Sequence, residues 1–167
     1  MTSTITKQTI LKKDLANKKI YVTREFAAPR KLVWAAWTQP ELLNDWWAPK
    51  PWKAVTKSMD FRNGGRWHYY MSGPGGEQQW CLADYSNIDP INSYHVKDSF
   101  CDSEANKITD FPSMNWYVQF TDAGKATKVE IEITFEKEED LQKILEMGFQ
   151  EGFTAAHDNL DELLSKQ

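Results

Sequence analysis

The sequence predicts an α+β fold: a curved antiparallel sheet wrapped around a long C-terminal helix, with two short helices between the first two strands. Three observations carry this expectation. Residues 137–167 place Leu141, Ile144, Leu145, Gly148, Phe149, Gly152, Phe153, Ala156, Leu160, Leu163 and Leu164 at steps of three, four and seven. At about 100° per residue these share one helical face. Most of the chain before it alternates apolar and polar residues with period two, between Gly- and Pro-rich turns, as half-buried strands do. The strand–helix–strand alternation of a parallel sheet is absent, which leaves a meander closed by a terminal helix.

Taken in order, residues 1–18 are polar and non-periodic and are expected to form an arm or frayed edge. A single domain is expected over 19–167. It begins with the strand KIYVTREF, broken at Ala27-Ala28-Pro29. Pro29 suits a helix start, and residues 31–38 turn Leu32, Val33, Ala36 and Trp37 to one side. Thr38, Pro40 and Glu41 read as the capped start of a second short helix anchored by Leu42, Leu43, Trp46 and Trp47. Pro49 and Pro51 end it. The next two strands, 52–61 and 66–71, flank the hairpin signal Asn63-Gly64-Gly65. On the second, Trp67, Tyr69 and Met71 share one face, and Arg66, His68 and Tyr70 the other, solvent side. Strands are expected at 78–88 and 93–101. A polar loop spans 102–113, and strands follow at 115–120 and 127–136. In the last of these, Val129, Ile131, Ile133 and Phe135 alternate with Lys128, Glu130, Glu132 and Thr134, so one sheet face is dry and one wet. The count is seven strands.

The totals exclude several classes. At 167 residues one domain with a sizeable core is expected. A net charge of −4 and a pI near 5.4 provide no basic footprint for nucleic acid or an anionic membrane. The N-terminus MTSTITKQTILKK has neither an apolar signal region nor an Arg-rich presequence, and no apolar run is long enough to span a bilayer. Cys81 and Cys101 lack CxxC spacing and read as free thiols of a cytoplasmic protein. No two of His68, His95 and His157 stand at metal-ligand spacing, so no metal and no cofactor is expected. Nucleophile-elbow, P-loop and dinucleotide motifs are missing too.

Three stretches carry a resemblance. They are Ala28 to Trp47 (APRKLVWAAWTQPELLNDWW), Phe61 to Trp67 (FRNGGRW) and Gly148 to Phe153 (GFQEGF). Over residues 19–165 the chain resembles bacterial proteins that share a domain with the C-terminal part of the activator of Hsp90 ATPase. These sit within the START-like, polyketide-cyclase-like and birch-pollen-allergen-like superfamily. The resemblance implies a helix-grip fold with a cavity between sheet and helix, and it transfers no catalytic motif. Gly64 and Gly65 are expected to shape the hairpin, and Gly148 and Gly152 to allow close helix-on-sheet packing.

In that fold an aromatic constellation would surround one space: Trp47, Trp52, Trp67, Tyr69, Trp80, Trp116, Phe149 and Phe153, with Tyr69, Asp98 and His157 as polar groups. Eight Trp in the chain fit a lined cavity, a wide aromatic core or an interaction surface. The first functional reading is a binder of a small hydrophobic or aromatic ligand, without assigned chemistry. The alternatives are a protein-interaction module like the Hsp90 activator domain, and a cyclase- or hydrolase-type enzyme using His157 and Asp98 together. Rings of Trp46, Trp47 and Trp52 turned inward favour the ligand; an exposed patch favours a protein partner. Monomer and homodimer are both compatible with the sequence.

Overall fold

The computed structural model describes residues 8–166. Eight antiparallel strands form one open sheet: β1 (Ile10–Asp14), β2 (Lys19–Phe26), β3 (Lys53–Met59), β4 (Arg66–Ser72), β5 (Gln78–Asp89), β6 (Ser93–Phe100), β7 (Met114–Ala123) and β8 (Ala126–Thr134), in spatial order β1-β2-β8-β7-β6-β5-β4-β3. Helices α1 (Arg30–Thr38) and α2 (Pro40–Trp46) lie between β2 and β3; α3 (Glu138–Glu146) and α4 (Phe149–Ser165) close the chain. This is the helix-grip arrangement.

The inner sheet face is apolar because period-two alternation puts Val129, Ile131, Ile133 on β8 and Trp116, Val118, Phe120 on β7 under the helices, all buried. Register locks this choice, since Val118 pairs with Ile131 and Trp116 with Ile133, and a one-residue slip would turn each of them to water. Leu141, Ile144, Phe153, Ala156 and Leu160 meet that face from α3 and α4.

Three expectations are corrected. The N-terminal arm is in part a strand: β1 pairs with β2 from Ile10↔Thr23 to Asp14↔Lys19. Its side chains alternate too weakly to show in sequence, because an edge strand buries little. Residues 1–7 lie outside the described residues. Thr38 does not cap α2; its hydroxyl donates to Trp34 O at 2.8 Å inside α1, the usual back-bond of a helical threonine.

The terminal helix is two helices. Gly148 has φ +89°, a left-handed conformation that glycine adopts without steric cost. It ends α3, with its N–H on Leu145 O at 3.1 Å, and starts α4, its carbonyl accepting from Gly152 N at 2.9 Å. The break is so short that the apolar face continues in phase, which is why periodicity alone reads one helix.

The hairpin glycines do act on shape. Gly64 has φ +83°, and a Cβ on Gly65 would stand 2.1 Å from Asp60 O. Gly65→Ala must therefore displace backbone, and we expect a loss of about 1–3 kcal/mol. Urea unfolding would measure it; an unchanged midpoint would refute the close approach.

Candidate functional site

A cavity of about 230 Å³ lies between the inner sheet face and the α3–α4 elbow. The end of α2 supplies Trp47. Strands β4 to β7 supply Tyr69 and Met71, Cys81, Asp98 and Phe100, and Met114 and Trp116. Ile144 comes from α3, Met147 and Gly148 from the elbow, and Phe149, Gly152 and Phe153 from α4. Met147 and Gln79 line the space while remaining exposed, so the mouth opens beside the elbow.

The wall is aromatic and closely packed. Trp116 meets Phe153 edge-on at 5.4 Å and Phe149 at 6.1 Å between ring centroids. Trp47 Nε1 donates to Tyr69 OH at 2.9 Å, which ties the exit of α2 to the sheet. Tyr69 in turn stacks on Trp67 at 3.7 Å. Behind these rings a second void of about 20 Å³ is lined by Trp37, Trp67, Tyr94 and Trp116 among others, and Asp98 borders both spaces.

Asp98 is the polar centre. Burial raises its carboxyl to about 7, with the Ser99 backbone N–H pulling the other way. Its Oδ1 is buried with no hydrogen-bond partner. Burial likewise pushes the Tyr69 hydroxyl and the Cys81 thiol well above their ordinary ranges, so both stay neutral at physiological pH. Among the described residues, no three His, Cys, Asp or Glu side chains gather as a metal site.

The model of the family described as "Activator of Hsp90 ATPase homolog 1-like protein" matches residues 27–165. The chain belongs to that family. Among solved structures it is similar to a protein from Arthrobacter aurescens, at 31% identity and TM-score 0.89, over 95% of this chain and 92% of that one. It is similar to Ms6760 from Mycobacterium smegmatis at 33% identity and TM-score 0.87, over 94% and 96% of the two chains. It also resembles NE0264 from Nitrosomonas europaea at 25% identity and TM-score 0.78, over 90% and 96%. No functionally curated protein matches the chain.

In this member of the Hsp90-activator-like family, the structure brings together Trp47, Tyr69, Asp98, Trp116, Phe149 and Phe153 around the larger cavity, while Trp67 borders only the smaller void. Three expected residues stand elsewhere. Trp80 is on the opposite sheet face, against Tyr70 at 4.6 Å and His68 at 4.9 Å. The register explains it: Tyr69 pairs with Cys81 and Tyr70 with Trp80, so Cys81 shares the Tyr69 face. Trp52 packs over the turn after β4, with its Cη2 2.9 Å from where a Gly73 Cβ would sit. His157 is buried behind Phe153 at 4.1 Å, with Nδ1 2.8 Å from Thr9 Oγ1. It does not border the cavity, so His157 and Asp98 do not form an acid–base pair across one substrate space.

His68 is likewise not at the solvent. It is buried, and its Nε2 lies 3.1 Å from Asp102 O, because residues 101–108 fold over the outer face of β4 and β5. Sequence reading missed Met71, Cys81, Phe100, Met114 and Met147 as lining residues. Period-two alternation from Tyr69 and Asp98 identifies Met71 and Phe100, but Cys81 and Met114 need the strand register.

The small residues also change role. A Cβ on Gly152 would meet only Pro49 Cγ, at 3.8 Å, and one on Gly148 only Glu151 Oε2, at 3.9 Å. Neither glycine is a close approach of helix to sheet; both border the cavity. Among the described residues no helix is long and apolar enough to cross a membrane.

Proposed function

We propose that this protein binds a small, largely apolar or aromatic molecule in the space between the sheet and the α3–α4 elbow. One observation carries the reading: an apolar cavity of about 230 Å³ with a mouth, walled by packed aromatic rings and holding, among the described residues, one carboxylate side chain. Apolar walls with few polar groups are the ordinary form of a small-molecule site. An apolar cavity of roughly 150 Å³ suffices for benzene, so a one- or two-ring ligand fits this one. The Trp-rich segment supports the same reading. Trp46 is fully buried and Trp47 lines the cavity, so two of the three rings turn inward, while Trp52 is half-buried over the turn after β4.

Gly152 provides the test. Alanine there has room beside Pro49 and should stabilise α4 by about 0.5–1 kcal/mol through helix propensity. Leucine should project into the cavity and occupy it. Indole and naphthalene, titrated while the Trp47 and Trp116 indole N–H resonances are followed by NMR, are expected to shift those signals in wild type and in Gly152→Ala. Gly152→Leu should abolish the response. Equal responses in all three proteins, or none in wild type, would overturn the reading.

A further inference from the structure

We propose that the ligand of this cavity is an amine: a small aromatic or aliphatic group carrying a protonated nitrogen that pairs with Asp98. This rests on the binding reading above and specifies its chemistry.

The argument is one of complementarity. Asp98 is half-buried on the cavity wall, its Oδ1 is shut off from solvent with no partner, and among the described residues no Lys, Arg or His lines the cavity. A buried carboxylate without a cation is costly. Elsewhere in the chain a buried charge is paired: buried Arg24 meets Asp161 and Asp158 at 2.5 and 2.9 Å. At Asp98 the described residues supply no such counter-charge, and the open space that Asp98 borders is where a ligand would supply it.

The rest of the wall favours the same charge. The faces of Trp116, Phe149 and Phe153 are negative in their quadrupole and attract ammonium groups. The sulfurs of Met71, Met114 and Cys81 are soft and carry no positive charge. Trp116 Nε1 is a buried unpartnered donor that a neutral carbonyl ligand could use, but it does nothing to balance Asp98. An anionic ligand would place two negative charges together in a low-dielectric space.

The groups facing Asp98 stay neutral between pH 6 and 8. They are Tyr69 on β4, Cys81 and Tyr85 on β5, and Cys101 just past β6, all made weaker acids than usual by burial. The cavity residues of α2, β7, α3 and α4 are not titratable. Asp98 alone thus changes charge there, at about 7.

The test compares 2-phenylethylamine, 2-phenylethanol and phenylacetate, equal in shape to within an atom and different in charge, by NMR titration. Wild type at pH 8 is expected to hold the amine at least about tenfold more tightly than the alcohol, with phenylacetate weakest. From pH 8 to pH 6 the amine should weaken about tenfold, since Asp98 must then lose a proton to bind it; the alcohol should not change. In Asp98→Asn the amine's advantage should shrink to within about threefold. The pH profile needs no variant, so a poorly folded Asp98→Asn would leave it standing. Equal binding of amine and alcohol with no pH dependence would overturn the amine assignment and leave the cavity reading intact. Binding of none of the three would overturn both.

Discussion

Arg24→Met is expected to cost about 3 kcal/mol of folding stability, the lower end of what breaking a buried ion pair removes. Arg24 sits in the inward series Ile20, Val22, Arg24, Phe26 of β2, where it is only 2% exposed. Its guanidinium reaches Asp161 at 2.5 Å, Asp158 at 2.9 Å and Thr9 Oγ1 at 3.0 Å. One cation thereby joins β2, α4 and the segment before β1. The loss falls at the low end because Asp158 is exposed and Asp161 is partly so, and both carboxylates regain water when the cation goes. Urea unfolding would measure the change. Adding Asp161→Asn to Arg24→Met should change stability little further, because that carboxylate is already solvated once the cation is gone, and an Arg24→Met variant as stable as wild type would show that the network contributes nothing.

The second large effect is of opposite sign. Asp98→Asn is expected to stabilise the protein, and more so as pH rises. The Asp98 carboxyl titrates at about 7 in the folded chain against an ordinary 3.8. Between those values the unfolded state has released its proton and the folded state has not. Stability from this group is therefore full below about pH 3.8 and lost as pH climbs to about 7, by roughly 4 kcal/mol in total. Asparagine has no proton to lose. Its advantage over wild type should be near zero at pH 4 and reach a few kcal/mol at pH 8.

His157 slopes the other way. Burial, with the Arg24 charge beside it, lowers it from 6.5 to about 3. Its contribution is full above about pH 6.5 and lost on acidification toward pH 3. In wild type the two slopes oppose each other between about pH 4 and 6.5. Asp98→Asn uncovers the His157 slope, so the variant should lose about 1.4 kcal/mol per pH unit there on acidification. Denaturant unfolding at pH 4.5, 6 and 8 would measure both effects. A variant whose gain is the same at all three pH values would mean that Asp98 does not titrate differently in the folded and unfolded chains.

The opposing pair also shows why the site was only partly legible. Asp98 announced itself as a carboxylate in an otherwise apolar strand face with Tyr94, Val96 and Phe100, and alternation alone places it inward. Arg24 stands at an equally inward position on β2, but a long cationic side chain there reads as an edge residue until its carboxylate partners are known. Those partners lie on α4, more than a hundred residues away. His157 sits correctly on the buried face of α4, but whether it borders the cavity depends on which side of Phe153 it falls. Trp80 was misplaced by a single residue of register, which in a strand reverses the face.

By itself the sequence determined the element order, the antiparallel meander, the hairpin at Gly64-Gly65 and which face of nearly every strand is dry. These follow from local chemistry: period two in strands, period 3.6 in helices, and the few residues that permit tight turns. Only the tertiary structure decided that the terminal helix bends at Gly148, that β1 joins the sheet, and that a space remains between elbow and sheet. It also decided that Asp98 borders that space with no cation beside it among the described residues. Such features are differences between large surfaces brought together from distant parts of the chain. A cavity exists where side chains fail to meet, and no local pattern records that.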